Sequence, residues 1–430
     1  MFVNRWFFFI LALSIAVWLC LKITDMRTIK AIFKFFLVLV LVCELASSCV
    51  YDYEPKDARV QGLGKPLVVI DGDIIVGGIT RVKVGLTQSL TEEEEVVPLG
   101  ASVWVEGETG EVLSGRMVDD GMNEFEVDTR DLGLQGRYRL GVSIPGRGEY
   151  LSAYKRVLVS PPIDSITYSV ADDRSYARIE VTTHNDEAYT RDNNTGGALY
   201  CKWEYSEDWE SDAVYPAELE FDTKSGTMSK LGLQESLEKK YCYSKAESSG
   251  TYIANTEKLS GAVIYKSVVN DIPNTDTRLM GLYAIMVYQT ALDKEGYIYW
   301  ENIKKNTSGT GGLFGPQPSE VRGNLESATH PGESVIGYVN VSTVSQKRVF
   351  IDWNGEKIYS TECKEELVPE FAPTQKPDEI PKHLWPAYYT QGYRPVRFNG
   401  EKRDEAYWAL EKCTDCRGYS NSTRPDFWPR

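Results

Sequence analysis

Short runs of β-branched and aromatic residues, spaced two by two and cut by Gly/Asp turns, most constrain what this chain can fold into. From Pro66 the pattern reads Leu67-Val68-Val69-Ile70, Asp71-Gly72-Asp73, Ile74-Ile75-Val76, then Val82, Val84 and Leu86 with period two. Ser102-Val103-Trp104-Val105, Phe125-Glu126-Val127 and Tyr138-Arg139-Leu140-Gly141-Val142 continue it, with turn signals at Glu108-Thr109-Gly110, Asp120-Gly121 and Gly133. Such alternation buries one face of a strand. About seven strands of this kind with no helical stretch are what an Ig-like or transthyretin-like sandwich needs. Residues 66–160 are therefore expected to form an N-terminal β-sandwich.

Ser160-Pro161-Pro162-Ile163 reads as a domain seam, because consecutive prolines stiffen a connection and donate nothing to a ladder. Beyond it, 161–430 is expected to be a larger β-rich domain. Ile166–Val170, Ala177–Val181 and Ala198–Tyr205 are rich in branched and aromatic residues. Two short helices interrupt the strands: Gln234 to Lys240, and Asp293 to Lys305, where Asp293 is a capping residue and Tyr297, Trp300 and Ile303 fall on one face. Between Pro369 and Pro395 prolines recur among Trp385, Tyr388, Tyr389 and Tyr393, which predicts an extended coil laid on another surface without a ladder of its own. The end of the chain carries Cys413-Thr414-Asp415-Cys416 and then Phe427-Trp428, an aromatic pair expected to dock.

The N-terminus supplies an address. Arg27, Lys30 and Lys34 precede an apolar stretch from Phe35 to Val42, which runs into Ala46-Ser47-Ser48-Cys49, the charge, core and small-residue exit of a signal peptide with a lipidation cysteine. Residues 1–48 thus read as a signal peptide region whose true start is Met26, and 49–65 as a polar, lipidated tether. The competing reading takes Trp6 to Leu21 as a genuine anchor helix. Removing 48 of 430 residues leaves 382, enough for two or three domains. The whole chain carries −15 and the leader +3, so the remainder carries −18, which argues against nucleic acid and against lying flat on an anionic bilayer. With Cys49 given to lipid, Cys201, Cys242, Cys363, Cys413 and Cys416 remain, an odd set in an oxidising compartment. Cys413 with Cys416, or Cys363 with either, is the preferred bridge, with Cys201 to Cys242 as a second candidate.

Chemistry is thinly signalled. The CxxC pair could join Cys363 and His383 in a zinc site or act as a redox pair, but a lone CxxC in an oxidising compartment favours a structural disulfide cluster. His184, His330 and His383 are the three histidines, none in HExxH or triad spacing, and there is no Gly-x-Ser-x-Gly elbow. No catalytic residue, metal site or cofactor is assigned. Glu92 to Glu95 reads as a solvated loop and Asp119–Asn123 as a hairpin turn. Aromatic clusters beside charges suit sugar or peptide recognition, and Tyr205, Trp209 and Trp385 are the ligand-binding candidates.

Several segments together resemble one group, the Bacteroidota lipoprotein family known as domain of unknown function 4249. The resemblance lies in the lipobox cysteine, Leu67–Gly72, Gly100–Val103, Gly136–Leu140, Pro161–Ile166, Leu313–Pro318, Gly323-Asn324, Val335–Tyr338, and the closing Cys413–Arg417 with Arg424–Trp428. It implies an outer-membrane lipoprotein often associated with TonB-dependent transporters, and it brings no family chemistry. The expected protein is all-β with minor α, a sandwich followed by a larger β-rich domain and a disulfide-stapled tail. It is expected to be anchored in the outer membrane by its N-terminal lipid, with the face left open. Its expected role is that of a non-enzymatic accessory or ligand-binding partner of a TonB-dependent transporter, for a glycan or peptide ligand. A surface glycan or peptide hydrolase, or a purely structural envelope scaffold, is the alternative.

Overall fold

Alternation along the first strands places their apolar residues on one side, and two sheets close over them. The computed structural model describes residues 66–88, 98–119, 122–185, 197–308, 322–374, 376, 378–421 and 423–429. The leader, Met26, Cys49, the 49–65 segment, Glu92 to Glu95 and Leu313–Pro318 lie outside them. One sheet of the first sandwich runs in the order Val335–Ile336, Val68–Asp71, Ile79–Leu86, Glu124–Asp128, Arg116–Asp119. The facing sheet runs Leu325–Ser327, Gly148–Ser152, Arg137–Ile144, Ser102–Gly107, Val112–Ser114. Val82, Val84, Phe125 and Val127 from the first meet Val103, Val105, Leu140 and Val142 from the second, all buried. Each such side chain contributes about 1.5–3 kcal/mol by leaving water.

Three strands that complete this sandwich come from far along the chain. Val335–Ile336 pairs in parallel with Val68 and Val69, Val341–Ser342 pairs in parallel with Ile74 and Ile75, and Leu325–Ser327 pairs with Tyr150 to Ser152. Leu325, Val339 and Val341 join the core of the first sandwich. The segment thus returns from beyond residue 161 to complete the sandwich begun at Pro66. Asn324 clamps it, donating from Nδ2 to Val339 O and accepting from Val339 N, both at 2.8 Å. At the crossing a Cβ on Gly323 would lie 1.5 Å from Gly337 O, so only glycine fits.

The second sandwich packs the sheet Ile163–Val170, Tyr176–His184, Val263–Pro273 against Tyr243–Glu247, Tyr200–Glu210, Leu282–Ala291, Val344–Asp352. Its core holds Ile179, Val181, Trp203, Tyr283, Ile285 and Trp353. The predicted proline seam is anchored from this core: Gln289 donates from Nε2 to Pro161 O at 2.7 Å and accepts from Trp203 Nε1 at 2.8 Å.

Both expected helices form. Helix α1 spans Leu233–Lys240 and α2 spans Lys294–Ser308. Asp293 caps α2, accepting from Gly296 N at 2.8 Å. Gly296 sits against Tyr338, whose ring would be 2.9 Å from an added Cβ. Gly296 and Tyr299 of α2 are buried, while Tyr297, Trp300 and Ile303 are half-buried. Among the described residues no helix is long and apolar enough to cross a membrane.

The proline-rich segment differs from its expectation. Glu365–Pro369, Glu405–Leu410 and Tyr393–Phe398 form a sheet of their own, with helix α3 (Trp385–Thr390) and the hairpin Leu219–Asp222/Thr227–Lys230 packed on it. The prolines occupy positions that regular structure tolerates. Pro369 ends a strand, Pro386 lies in the first turn of α3, and Pro395 lies at a register shift on an edge strand. Of the closing aromatics Trp428 docks: it is buried, donates from Nε1 to Glu210 Oε1 at 3.0 Å, and packs edge-on against Tyr243 and Phe350, while Phe427 stays exposed.

Candidate functional site

Cystines decide the geometry of the C-terminal module. Cys363 pairs with Cys413 and Cys242 with Cys416, while Cys201 is free and buried. Of the expected bridges, Cys363 with Cys413 forms, whereas Cys413–Cys416 and Cys201–Cys242 do not. Cys413 lies in the short helix α4 (Glu411–Thr414) and packs with Val396 and Ala409, whereas Cys416 opens the next turn and packs with Ala213 and Cys242. The two half-cystines thus face different neighbours. Cys201 points into the core of the second sandwich, where burial pushes its thiol pKa up and leaves it inert. With both CxxC sulfurs committed to distant partners, the zinc and redox readings of that spacing fall away. Among the described residues no three His, Cys, Asp or Glu side chains are grouped to hold a metal.

Between these cystines and the hairpin lies a cleft of about 240 Å³. Leu219, Phe221, Tyr389 and Pro395 supply its apolar surface, and Glu220, Lys239, Arg394, Glu411, Asp415 and Arg417 its charges. Lys239, the two arginines, Glu411 and Asp415 are paired in advance. Arg394 meets Glu411 at 2.9 Å and lies 4.1 Å over the Tyr389 ring. Arg417 forms a two-pronged pair with Asp415, Nε to Oδ1 at 2.9 Å and Nη2 to Oδ2 at 2.7 Å. Partial burial pushes the Asp415 carboxyl up, but the Arg417 guanidinium more than reverses this and holds it below the usual carboxylate range. Lys239 pairs with Glu235 one helical turn away, at 2.9 Å. The result is a preformed, polar and charge-balanced concavity.

A second polar cluster ties the two sandwiches together. Lys202, 8% exposed, reaches Asp73 at 2.9 Å and Glu204 at 3.1 Å, with its ammonium 4.4 Å over Trp300. In the opposite direction Lys155 of the first sandwich pairs with Asp293 and bonds Tyr338, which itself donates to Asp293 at 2.7 Å. Burial alone would lower the Lys202 pKa, yet Asp73 and Glu204 raise it, so the group is a fixed cation and not a base at neutral pH. This cluster is a lock between domains.

The predicted aromatic sites fare differently. Tyr205 is 6% exposed and shares a 3.3 Å contact with the Tyr252 hydroxyl; Trp385 is 3% exposed and donates to Val368 O at 3.2 Å. Neither offers a face to a ligand. Tyr205 lies in the inward phase of its strand with Cys201 and Trp203, and the charges at Glu204 and Asp208 that suggested exposure belong to the outward phase. Trp209 is half-buried and donates to Thr277 Oγ1 at 3.1 Å. Arg394, Glu411, Asp415 and Arg417 were missed, although Glu411 and the Asp415–Arg417 pair flank the CxxC cysteines, a signal that could have flagged them.

No curated protein sequence matches this chain. A crystal structure of a DUF4785 family protein from Legionella pneumophila is similar at 9% identity and a TM-score of 0.16, covering 52% of each chain. The chain therefore spans about half the length of that structure, and so faint a likeness carries no argument. A family model covers the first sandwich and most of the second, ending within the strand Val344–Asp352, before the C-terminal sheet and the closing CxxC. That family is described as Domain of unknown function (DUF4249), its model matches residues 51–348, and the chain belongs to it.

Proposed function

We propose that this protein is an outer-membrane lipoprotein of the Bacteroidota kind, anchored through Cys49, that acts without catalysis as an accessory or ligand-binding partner of a TonB-dependent transporter. The observation that carries the reading is the cystine-braced cleft. Cystines form in exported chains, and a concavity whose walls are cross-linked and ion-paired in advance loses little freedom when a ligand enters. The lipobox before Cys49 and the −18 charge beyond the leader support attachment by lipid in place of a basic surface.

The test has two arms. Cys49→Ala should abolish lipid attachment and release the chain from membranes, and unchanged membrane fractionation without lipid would return the anchor to Trp6–Leu21. Incubation of the purified mature chain with panels of glycans and peptides should leave them intact; turnover of any member would replace the binding reading with a hydrolase.

A further inference from the structure

We propose that the first sandwich carries a sugar-binding platform on the outer face of its strands Ser102–Gly107 and Arg137–Ile144, where Trp104 stacks against the flat face of a neutral pyranose ring. The site lies outside the cleft and depends neither on it nor on a transporter. Val103 and Val105 point into the core, so Trp104 and Glu106 take the outward phase of their strand. Trp104 stands directly opposite Gly141, where an added Cβ would lie 2.2, 2.4 and 2.6 Å from Cε2, Cζ2 and Nε1 of the indole. The ring therefore lies flat on the glycine backbone. With one face on Gly141, the half-buried indole turns its other face away from the sheet.

The surroundings select the occupant. A gluco-configured pyranose presents axial hydrogens on its faces, which suit an aromatic ring, and carries its hydroxyls round the rim. Partners for the rim stand beside the indole. Arg139 donates to Glu106 from Nε at 3.1 Å and from Nη2 at 2.9 Å, Tyr154 donates to Glu106 at 2.7 Å, and Arg139 lies 4.5 Å over the Tyr154 ring. The Tyr154 hydroxyl first, and then Arg139, hold the Glu106 carboxyl below the usual carboxylate range against the upward push of desolvation. Arg139 and Glu106 together are neutral, so they offer hydroxyls a donor and an acceptor without a net charge to hold an ion. An anion would also meet Glu149 and Glu326, which share this face. A cation would find a single ring, where ammonium recognition uses a cage of several. An extended peptide cannot pair with the main chain here, because Trp104 to Glu106 is already bonded on both sides, to Val112–Ser114 and to Arg139–Gly141.

NMR titration of the full mature chain with cellotetraose, mannitol, tetramethylammonium and tetraproline tests this. Mannitol has the hydroxyls without the ring, tetramethylammonium the charge, and tetraproline flat rings without hydroxyls. Cellotetraose should bind, and each of the other three should bind about 10-fold more weakly or worse. Trp104→Leu keeps an apolar cover on Gly141 but no flat face, so it should weaken cellotetraose about 10-fold while circular dichroism stays native. Trp104→Phe should recover part of that loss. Absence of cellotetraose binding, equal binding of any of the other three, or undiminished binding by Trp104→Leu overturns the proposal. The readout needs neither membrane nor barrel, so such a failure leaves the transporter reading standing.

Discussion

Replacing Lys202 by Met probes the lock between the sandwiches. The ammonium lies 2.9 Å from Asp73, whose side chain is 8% exposed and whose other oxygen accepts from Asn340 N at 2.9 Å. Met keeps the apolar stem against Trp300 but leaves Asp73 as an uncompensated carboxylate beside Glu204 and Asp71, and stranding a buried charge costs about 3–5 kcal/mol. The second partner, Glu204, has a side chain 62% exposed and adds under about 1 kcal/mol. Asp73→Asn in the same background removes the stranded charge and keeps an acceptor for Asn340. The double variant should therefore recover about 2 kcal/mol or more of what Lys202→Met loses. Urea unfolding at pH 7, followed by tryptophan fluorescence, gives all four corners of the cycle. A Lys202→Met loss below about 1 kcal/mol, or a double variant no more stable than the sum of the singles, would refute the reasoning.

Three further outcomes are expected. Burial, then the neighbouring Glu210, pushes the Asp212 carboxyl up to about 6. The folded state thus holds its proton where the unfolded chain has lost it, and stability from this group falls as pH rises from about 4 through 6, by about 3 kcal/mol at most. Asp212→Asn should raise the melting temperature at pH 7.5 and leave it unchanged at pH 3.5, and an equal effect at both would count against the assignment. Removing the Cys242–Cys416 bridge by Ser substitution at both positions opens a loop of 174 residues and should cost on the order of 4–5 kcal/mol, read by proteolysis within 405–429; unchanged protease resistance would contradict it. Gly323→Ala drives a Cβ into Gly337 O and should lose more than about 4 kcal/mol or fail to fold, so a soluble variant with native melting would show that the return crossing is wrong.

Where one physical signal sufficed, the sequence was readable. Period-two alternation located the first sandwich, and Asp293 announced α2 because a capping oxygen three residues ahead of a backbone donor is a local feature. Trp428 docked as large aromatics do, while Phe427 stayed exposed. Long-range features were hidden. Val335–Ile336 and Val341–Ser342 are two-residue strands, too short to show a period, so their return to the first sandwich left no trace. Pro369, Pro386 and Pro395 looked like breakers because the positions that tolerate proline, a strand end, a helix start and an edge irregularity, exist only once the sheet does. Tyr205 was misjudged because its charged neighbours face the other way. The cleft draws on Phe221, Tyr389 and Arg417, residues spread over nearly two hundred positions that the hairpin and cystines bring together.

Affinity purification of the chain from native membranes, with mass spectrometry of what accompanies it, tests the central proposal most directly. The account predicts a TonB-dependent transporter barrel in near-stoichiometric amount with the native chain, lost with Cys49→Ala. Recovery of the native chain in membranes with no barrel attached would contradict it.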